Sequence, residues 1–362
     1  MILANDFQPD WVSPPGETIV ELLDESGLSI EELSKKIGLS SRKSQQLLDG
    51  DLTICDSLAT KLETTFRVSS RFWLTRDSQY QTFKQKLESK EQKWLDLLPV
   101  SDMVKLGWIP KRSPRAQRVR ECLRFFNQDS IDSWFEEYNN NNLAVAYRTS
   151  DSFNTEPVSV FTWLQVAKRK TNDTRVYPWD REILKDSIPA IRALTNESNP
   201  RVFVPKLEMI LAEAGVVFVI AKTPSGCRAS GATCFFEKNK ATLVMSFRYL
   251  TDDHFWFTLF HEIGHLLLHP QNKTVRIEGN GIKGLSAKEE KEANEFATNT
   301  LVPIEHQSEM YSFYKNDWKK IVRFARKVGV SKGIILGQLQ HTGNIDYAYL
   351  NKLKVRYKWT KN

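Results

Sequence analysis

The stretch His254–His269, HFWFTLFHEIGHLLLH, decides how the rest of this 362-residue chain is read. Phe257, Leu259, Phe260, Ile263, Leu266 and Leu267 make it an apolar helix, with a cap expected near Thr251 or Asp252. Inside it stands His261-Glu262-Ile263-Gly264-His265. On a helix, positions i and i+4 share one face, so both imidazoles can bind a single zinc ion at about 2.0–2.1 Å. A polar triple on an otherwise apolar helix needs a partner, and a metal supplies one. Glu262, beside the first histidine, is placed to take a proton from the attacking water and pass it to a leaving amine. Zinc at such a site lowers the pKa of water to about 7.

A tetrahedral site with one open position needs a third protein ligand. His269 lies eight residues beyond His261, roughly 12 Å along the helix axis, too far for one ion to bind all three histidines. The ligand is expected from the next helix, SAKEEKEANEFATNTLVP at 286–303, whose apolar face is Ala293, Phe296, Ala297 and Leu301. Glu292 borders that face and is the expected ligand, with Glu289 as its rival. Glu290, Lys291 and Glu295 read as solvated, and Asn294 as a supporting hydrogen-bond partner. Arg248, Tyr249, His254 and His269 are the candidate donors to an oxyanion, and the sequence does not choose among them.

Working upstream, VPKLEMILAEAGV at 204–216 reads as an amphipathic helix ending at Gly215, and VVFVIAKT at 216–223 as a run of strand formers. GATCFFEKNKATLVMSF at 231–247 reads as two strands around a polar turn at Glu237–Lys240. A substrate would lie along an exposed strand edge near Ala232–Phe236 or Ala241–Phe247. Residues 15–85 read as short helices. Gly27 stops the first, Ser29 and Glu32 form a capping box on the second, Gly38 ends it, and Ser40 caps SRKSQQLLDG. Two helices joined by a three-residue turn form a helix-turn-helix arrangement. Its second helix would show Ser41, Arg42, Lys43, Gln45 and Gln46 to DNA, with Leu47 and Leu48 inward. Residues 91–200 read as a helical connecting region that docks the two ends of the chain, with a loop around SDSFNTEP at 150–157. VRFARKVGVSKGIILGQLQHTG at 322–343 repeats the helix-turn-helix rhythm and reads as a structural helix pair.

The expected fold class is therefore α+β, mostly α. It has a helix-turn-helix domain at 1–90, the helical middle at 91–200, a zincin-like metallopeptidase domain at 201–310 with a small sheet and the HExxH helix, and a basic C-terminal helical extension at 311–362. The net charge is +7, and residues 301–362 carry 12 basic against 4 acidic side chains, whereas 1–90 carry 11 against 14. KRSPRAQRVR at 111–120 adds a smaller basic run. Such segments attract phosphate or simply keep a surface solvated. Gly and Pro, 16 and 14 in number, exclude a collagen-like chain. No apolar stretch reads as a membrane span, MILANDFQPD lacks the basic start and apolar core of a secretory signal, and no cysteine pair forms a CxxC. A reduced cytoplasmic protein, without membrane contact, is expected.

HFWFTLFHEIGHLLLH followed by EKEANEFATNTLVP resembles the ImmA/IrrE family of zinc metallo-endopeptidases, and the strand pair SGATCFFEKNKATLVMSF is similar to the one before the active helix there. The resemblance implies one zinc per chain, with His261, His265 and Glu292 as ligands and Glu262 as the catalytic residue. VSPPGETIVELLDESGLSIEELSKKIGLSSRKSQQLLDG and RFWLTRDSQY resemble the helix-turn-helix of HigA and Xre regulators. Two departures stand out: Asn294 replaces an Asp found in many relatives, and the recognition helix is rich in Ser and Gln. The resemblances imply a zinc endopeptidase coupled to a DNA-binding regulator. It would cleave a repressor or antitoxin-like protein in a stress, mobile-element or defence response, and bind operator DNA as a homodimer. The alternative is a HigA-like antitoxin and autorepressor that binds DNA and a toxin and uses the peptidase fold for docking.

Overall fold

The computed structural model describes residues 13–140, 156–269, 276–277 and 287–359. Contacts divide the chain into two units at Leu95/Asp96. The first holds α1 (Pro15–Ser26), α2 (Ile30–Ile37), α3 (Ser41–Leu48), α4 (Asp56–Phe66) and most of α5 (Ser70–Leu97). The expected caps form. Ser29 and Glu32 close a capping box on α2, Gly27 and Gly38 end α1 and α2 in left-handed conformation, and the Lys43 N–H donates to Ser40 Oγ. Ile19, Leu33, Ile37, Leu47, Leu62 and Trp73 form this unit's core. A buried Ser34–Ser44 hydroxyl hydrogen bond of 2.7 Å ties α2 to α3.

The second unit contains α6 (Val100–Lys105), α7 (Arg115–Phe126), α8 (Ile131–Asn140), α9 (Pro157–Asp173), α10 (Arg181–Ala193) and α11 (Pro200–Glu213). Then come β1 (Val216–Ile220), β2 (Gly231–Glu237), β3 (Lys240–Met245), α12 (Asp252–Leu268), β4 (Arg276–Ile277) and α13 (Ala287–Leu301). α14 (Ile304–Met310), α15 (Trp318–Val328) and α16 (Lys332–His341) follow. The sheet order is β1-β3-β2-β4, with β1 parallel to β3 and the other pairs antiparallel. β2 and β3 form the hairpin expected from the polar turn. β3, however, is flanked on both sides, so Ala241–Phe247 offers no edge to a substrate. On its other side β2 pairs with β4 at Ala232 and Thr233, so of the expected edge Ala232–Phe236 only Cys234–Phe236 has no β4 partner among the described residues.

Successive side chains of a strand point to opposite faces. Val216 and Phe218 of β1, with Leu243 and Met245 of β3, pack against Trp256, Leu259, Phe260 and Ile263 of α12. Val217, Val219 and Val244 face the other way, onto Val160, Trp163, Leu164 and Ala167 of α9. Helices cover both faces, which explains why VVFVI is apolar throughout. The expected boundaries at 200 and 310 accordingly do not separate structural units. α9 forms one layer of the sheet domain, while Ile321 and Phe324 of α15 and Ile334, Ile335 and Leu339 of α16 share the core of α12. The expected boundary at 90 falls inside α5. Only the two end residues of α16, Lys332 and His341, are exposed, so this helix is a core element and presents no open side to DNA.

Arg192 locks this unit together. Its guanidinium donates to the Thr300 and Leu301 carbonyls at 2.7 and 3.0 Å, and to the Val328 carbonyl at 2.8 Å, satisfying the last turns of α13 and α15. Arg181 does the same for α12 through Leu267 O at 2.7 Å. Three of the cysteines are buried and Cys55 is exposed. Burial pushes the Cys122 and Cys227 thiols up to about 12. No described helix is long and apolar enough to cross a membrane. Most of the expected loop around 150–157 lies outside the described residues.

Candidate metal centre

α12 starts at Asp252, directly after Thr251, and is buried along most of its length. His261, Glu262 and His265 are each 1% exposed or less. A side chain at position 264 would meet Ala293 and Phe296, so Gly264 lets α13 cross closely here. The start of β2 also presses on the site. A Cβ on Gly231 would stand 2.9 Å from Glu262 Oε1, so only glycine leaves room for that carboxylate.

The Nε2 atoms of His261 and His265 lie 3.0 Å apart. Glu290 of α13 brings its carboxylate oxygens to 3.5 Å from His261 Nε2 and 3.4 Å from His265 Nε2. Among the described residues these are the three metal-type side chains that converge, with their ligand atoms within 4.8 Å of one another. The His261 Nδ1–H donates to Asn294 Oδ1 at 2.9 Å, which fixes the tautomer and turns the Nε2 lone pair toward Glu290. Burial, reinforced by His265 and opposed by Glu290 and Asn294, lowers the His261 pKa to about 4. A neutral imidazole with an inward lone pair is the form that binds a metal. Two such rings closing on a carboxylate are a nitrogen and oxygen donor set suited to zinc.

The expected residues are thus only partly brought together. His261 and His265 face one centre, with Glu262 buried beside them. Glu292 is turned away: its Oε2 lies 2.7 Å from His269 Nε2, and this bond, more than Lys288, holds its carboxyl below the usual range. Glu289 is not in the converging set. Glu290, read from sequence as solvated, takes the place expected for Glu292. The signal for it was present. Glu290 stands three residues before Ala293 and seven before Ala297, the fully buried stripe of α13, whereas Glu292 stands four before Phe296, which lies at the stripe's flank. Asn294 is the hydrogen-bond partner that the sequence suggested.

Of the four candidate oxyanion donors, His269 alone adjoins the centre, its ring 5.6 Å from that of His265. The Tyr249 and His254 rings stack 4.3 Å apart at the start of α12, about 10 Å along the axis from His261, and Arg248 donates to the Arg228 carbonyl. In the first unit, Ser41, Arg42, Lys43 and Gln45 are exposed on α3 and Gln46 is half-buried, while Leu47 and Leu48 point into the core. Gln45 Nε2 donates to Asp49 Oδ1.

No curated protein matches the chain. Residues 231–339, from the first residue of β2 into α16 and including every member of the converging set, match the family model of the IrrE N-terminal-like domain of peptidase family M78, which supports a metallopeptidase kind of activity for this segment.

Proposed function

We propose that this chain is a zinc-dependent endopeptidase with His261, His265 and Glu290 as the metal ligands and Glu262 as the catalytic residue. The observation that carries this reading is the convergence of two buried imidazoles and a carboxylate from a neighbouring helix, beside a fully buried Glu262. One zinc ion there would polarise a peptide carbonyl and make water acidic enough to attack at neutral pH. Glu262 takes a proton from the attacking water and returns it to the leaving nitrogen. Asn294 holds His261 in its ligand tautomer. His269, held by Glu292, is the candidate oxyanion donor that this reading favours, since its ring adjoins that of His265. The part of β2 beyond its pairing with β4, Cys234–Phe236, is the side along which an extended peptide would add.

The helix-turn-helix resemblance and the exposed polar side of α3 favour a regulatory setting. In it the first unit binds operator DNA as a homodimer, and the substrate is a repressor or antitoxin-like protein in the cytoplasm. The antitoxin and autorepressor reading rests on that same face of α3 and differs in giving Glu262 no role. Zinc content per chain separates the ligands. One zinc is expected in the wild type and in Glu292→Ala, and none in Glu290→Ala. Retention by Glu290→Ala with loss in Glu292→Ala would overturn the assignment.

A further inference from the structure

The pairing of His261 and His265 with Glu290 places the start of α13 near the end of α12, so the two helices run antiparallel. Their opposite ends meet at a second cavity of about 130 Å³, enclosed on its far side by α16. Phe257, Leu301 and Ile334 supply its apolar walls. Among the polar residues of the lining, which also include Thr298, Tyr311 and Thr342, two are buried and carry unpartnered atoms. Gln338 is 7% exposed, and neither its side-chain nitrogen nor its oxygen has a hydrogen-bond partner among the described residues. Asp253 is equally buried. Its Oδ2 pairs with Lys354 Nζ at 2.6 Å, while its Oδ1 has no partner. His341 and Tyr347 form an exposed rim.

This combination restricts what fits. The volume is close to that of an engineered cavity of about 150 Å³ that admits benzene, which corresponds to a single six-membered ring. Apolar walls suit the faces of such a ring, and the Gln338 amide presents a donor and an acceptor side by side to its edge. Asp253 Oδ1 accepts one further N–H. Because Lys354 already balances the Asp253 charge, the ligand needs none of its own. We infer that this cavity binds a neutral single-ring heterocycle with an amide-type edge, of the pyrimidine nucleobase class. A ring carbonyl accepts from Gln338 Nε2, the adjacent ring N–H donates to Gln338 Oε1, and another ring N–H donates to Asp253 Oδ1. The cavity shares no residue with the metal centre, and the inference is independent of whether zinc is bound.

Calorimetric titration of the full chain with uracil and with thymine, both of which carry two ring N–H groups, and with benzene as a control of similar size, tests this. Saturable one-to-one binding of at least one base is expected, weakened about tenfold or more in Gln338→Leu because two hydrogen bonds are lost. Benzene should bind both proteins alike. Gln338→Leu removes a buried unpaired amide, so its melting temperature without ligand should equal or exceed that of the wild type, which checks that it folds. Thr298→Phe, which pushes a ring into the cavity, should abolish base binding by a separate route. Absence of saturable binding by either base, or undiminished binding in Gln338→Leu, would show a hydrated cleft only and overturn the inference.

Discussion

In α12, His261, Glu262 and His265 stand among phenylalanine, leucine and isoleucine and are almost wholly buried. In α13, Glu290 keeps 34% of its side chain exposed and stands among Lys288, Glu289, Lys291, Glu292 and Glu295. Both helices contribute to one centre, yet a polar residue is conspicuous only against an apolar background. On α12, burying three polar groups is costly unless each has a task. On α13, charged residues are the ordinary covering of a half-exposed helix, and choosing among them requires the phase of the buried stripe to within a residue.

The difference is sharpened first by Glu262, the residue of the buried helix proposed to carry the chemistry. Glu262→Gln should lower peptide cleavage by about 10²–10⁴-fold while retaining zinc, since it removes the proton carrier and no ligand. Equal cleavage by the variant would return α12 to a purely binding role. On the exposed helix, Asn294→Ala should weaken zinc affinity by about 10–100-fold through the loss of the His261 Nδ1 bond. A competitive chelator titration that finds no change would mean that α13 contributes Glu290 alone.

The smallest effect is expected at the start of α12. Burial raises the Asp252 carboxyl to about 6, opposed by the Ser331 hydroxyl and raised further by Asp253. The folded protein therefore holds this proton more tightly than the unfolded chain. The stability that Asp252 contributes is greatest below the unfolded value of 3.8 and is lost as pH rises through about 6. Asp252→Asn keeps the shape and removes the titration. The melting temperature of the variant relative to wild type should be more favourable at pH 7.5 than at pH 4.5. The same difference at both values would mean that Asp252 is as ionised in the folded protein as in the unfolded one.

Much of this was legible in sequence, for reasons that can be named. The capping box at Ser29 and Glu32, the hairpin between β2 and β3 and the HExxH face of α12 depend on residues within a few positions of each other, where spacing determines geometry. The third ligand, the covering of the sheet by α9 and the burial of α16 depend on which faces meet across long separations. VVFVI held a clue to the second helical layer, because a strand apolar on both sides needs cover on both sides, but nothing local identified Val160, Trp163 and Leu164 as that cover. The order of strands is likewise non-local: the parallel partner of β1 is β3, so Ala241–Phe247 lies inside the sheet.

That two-sided sheet bears on how the matched segment can be inherited. A piece of chain beginning at Gly231 leaves behind both β1, which pairs along β3, and α9, which covers its outer face. Transplanted alone, residues 231–339 would expose an unpaired strand beside a bare patch around Val244 and Cys234, a surface that invites strand addition by other chains. Phe126, Trp134 and Tyr138 of α7 and α8 cover Phe161 of α9 in turn, so the smallest portable unit starts before α7, within the second unit that begins at Asp96. During synthesis, the sheet cannot close until β3, some ninety residues beyond Pro157, has emerged, which makes the earlier helices wait with an uncovered apolar face and gives this half of the protein a long-range, slow step in folding.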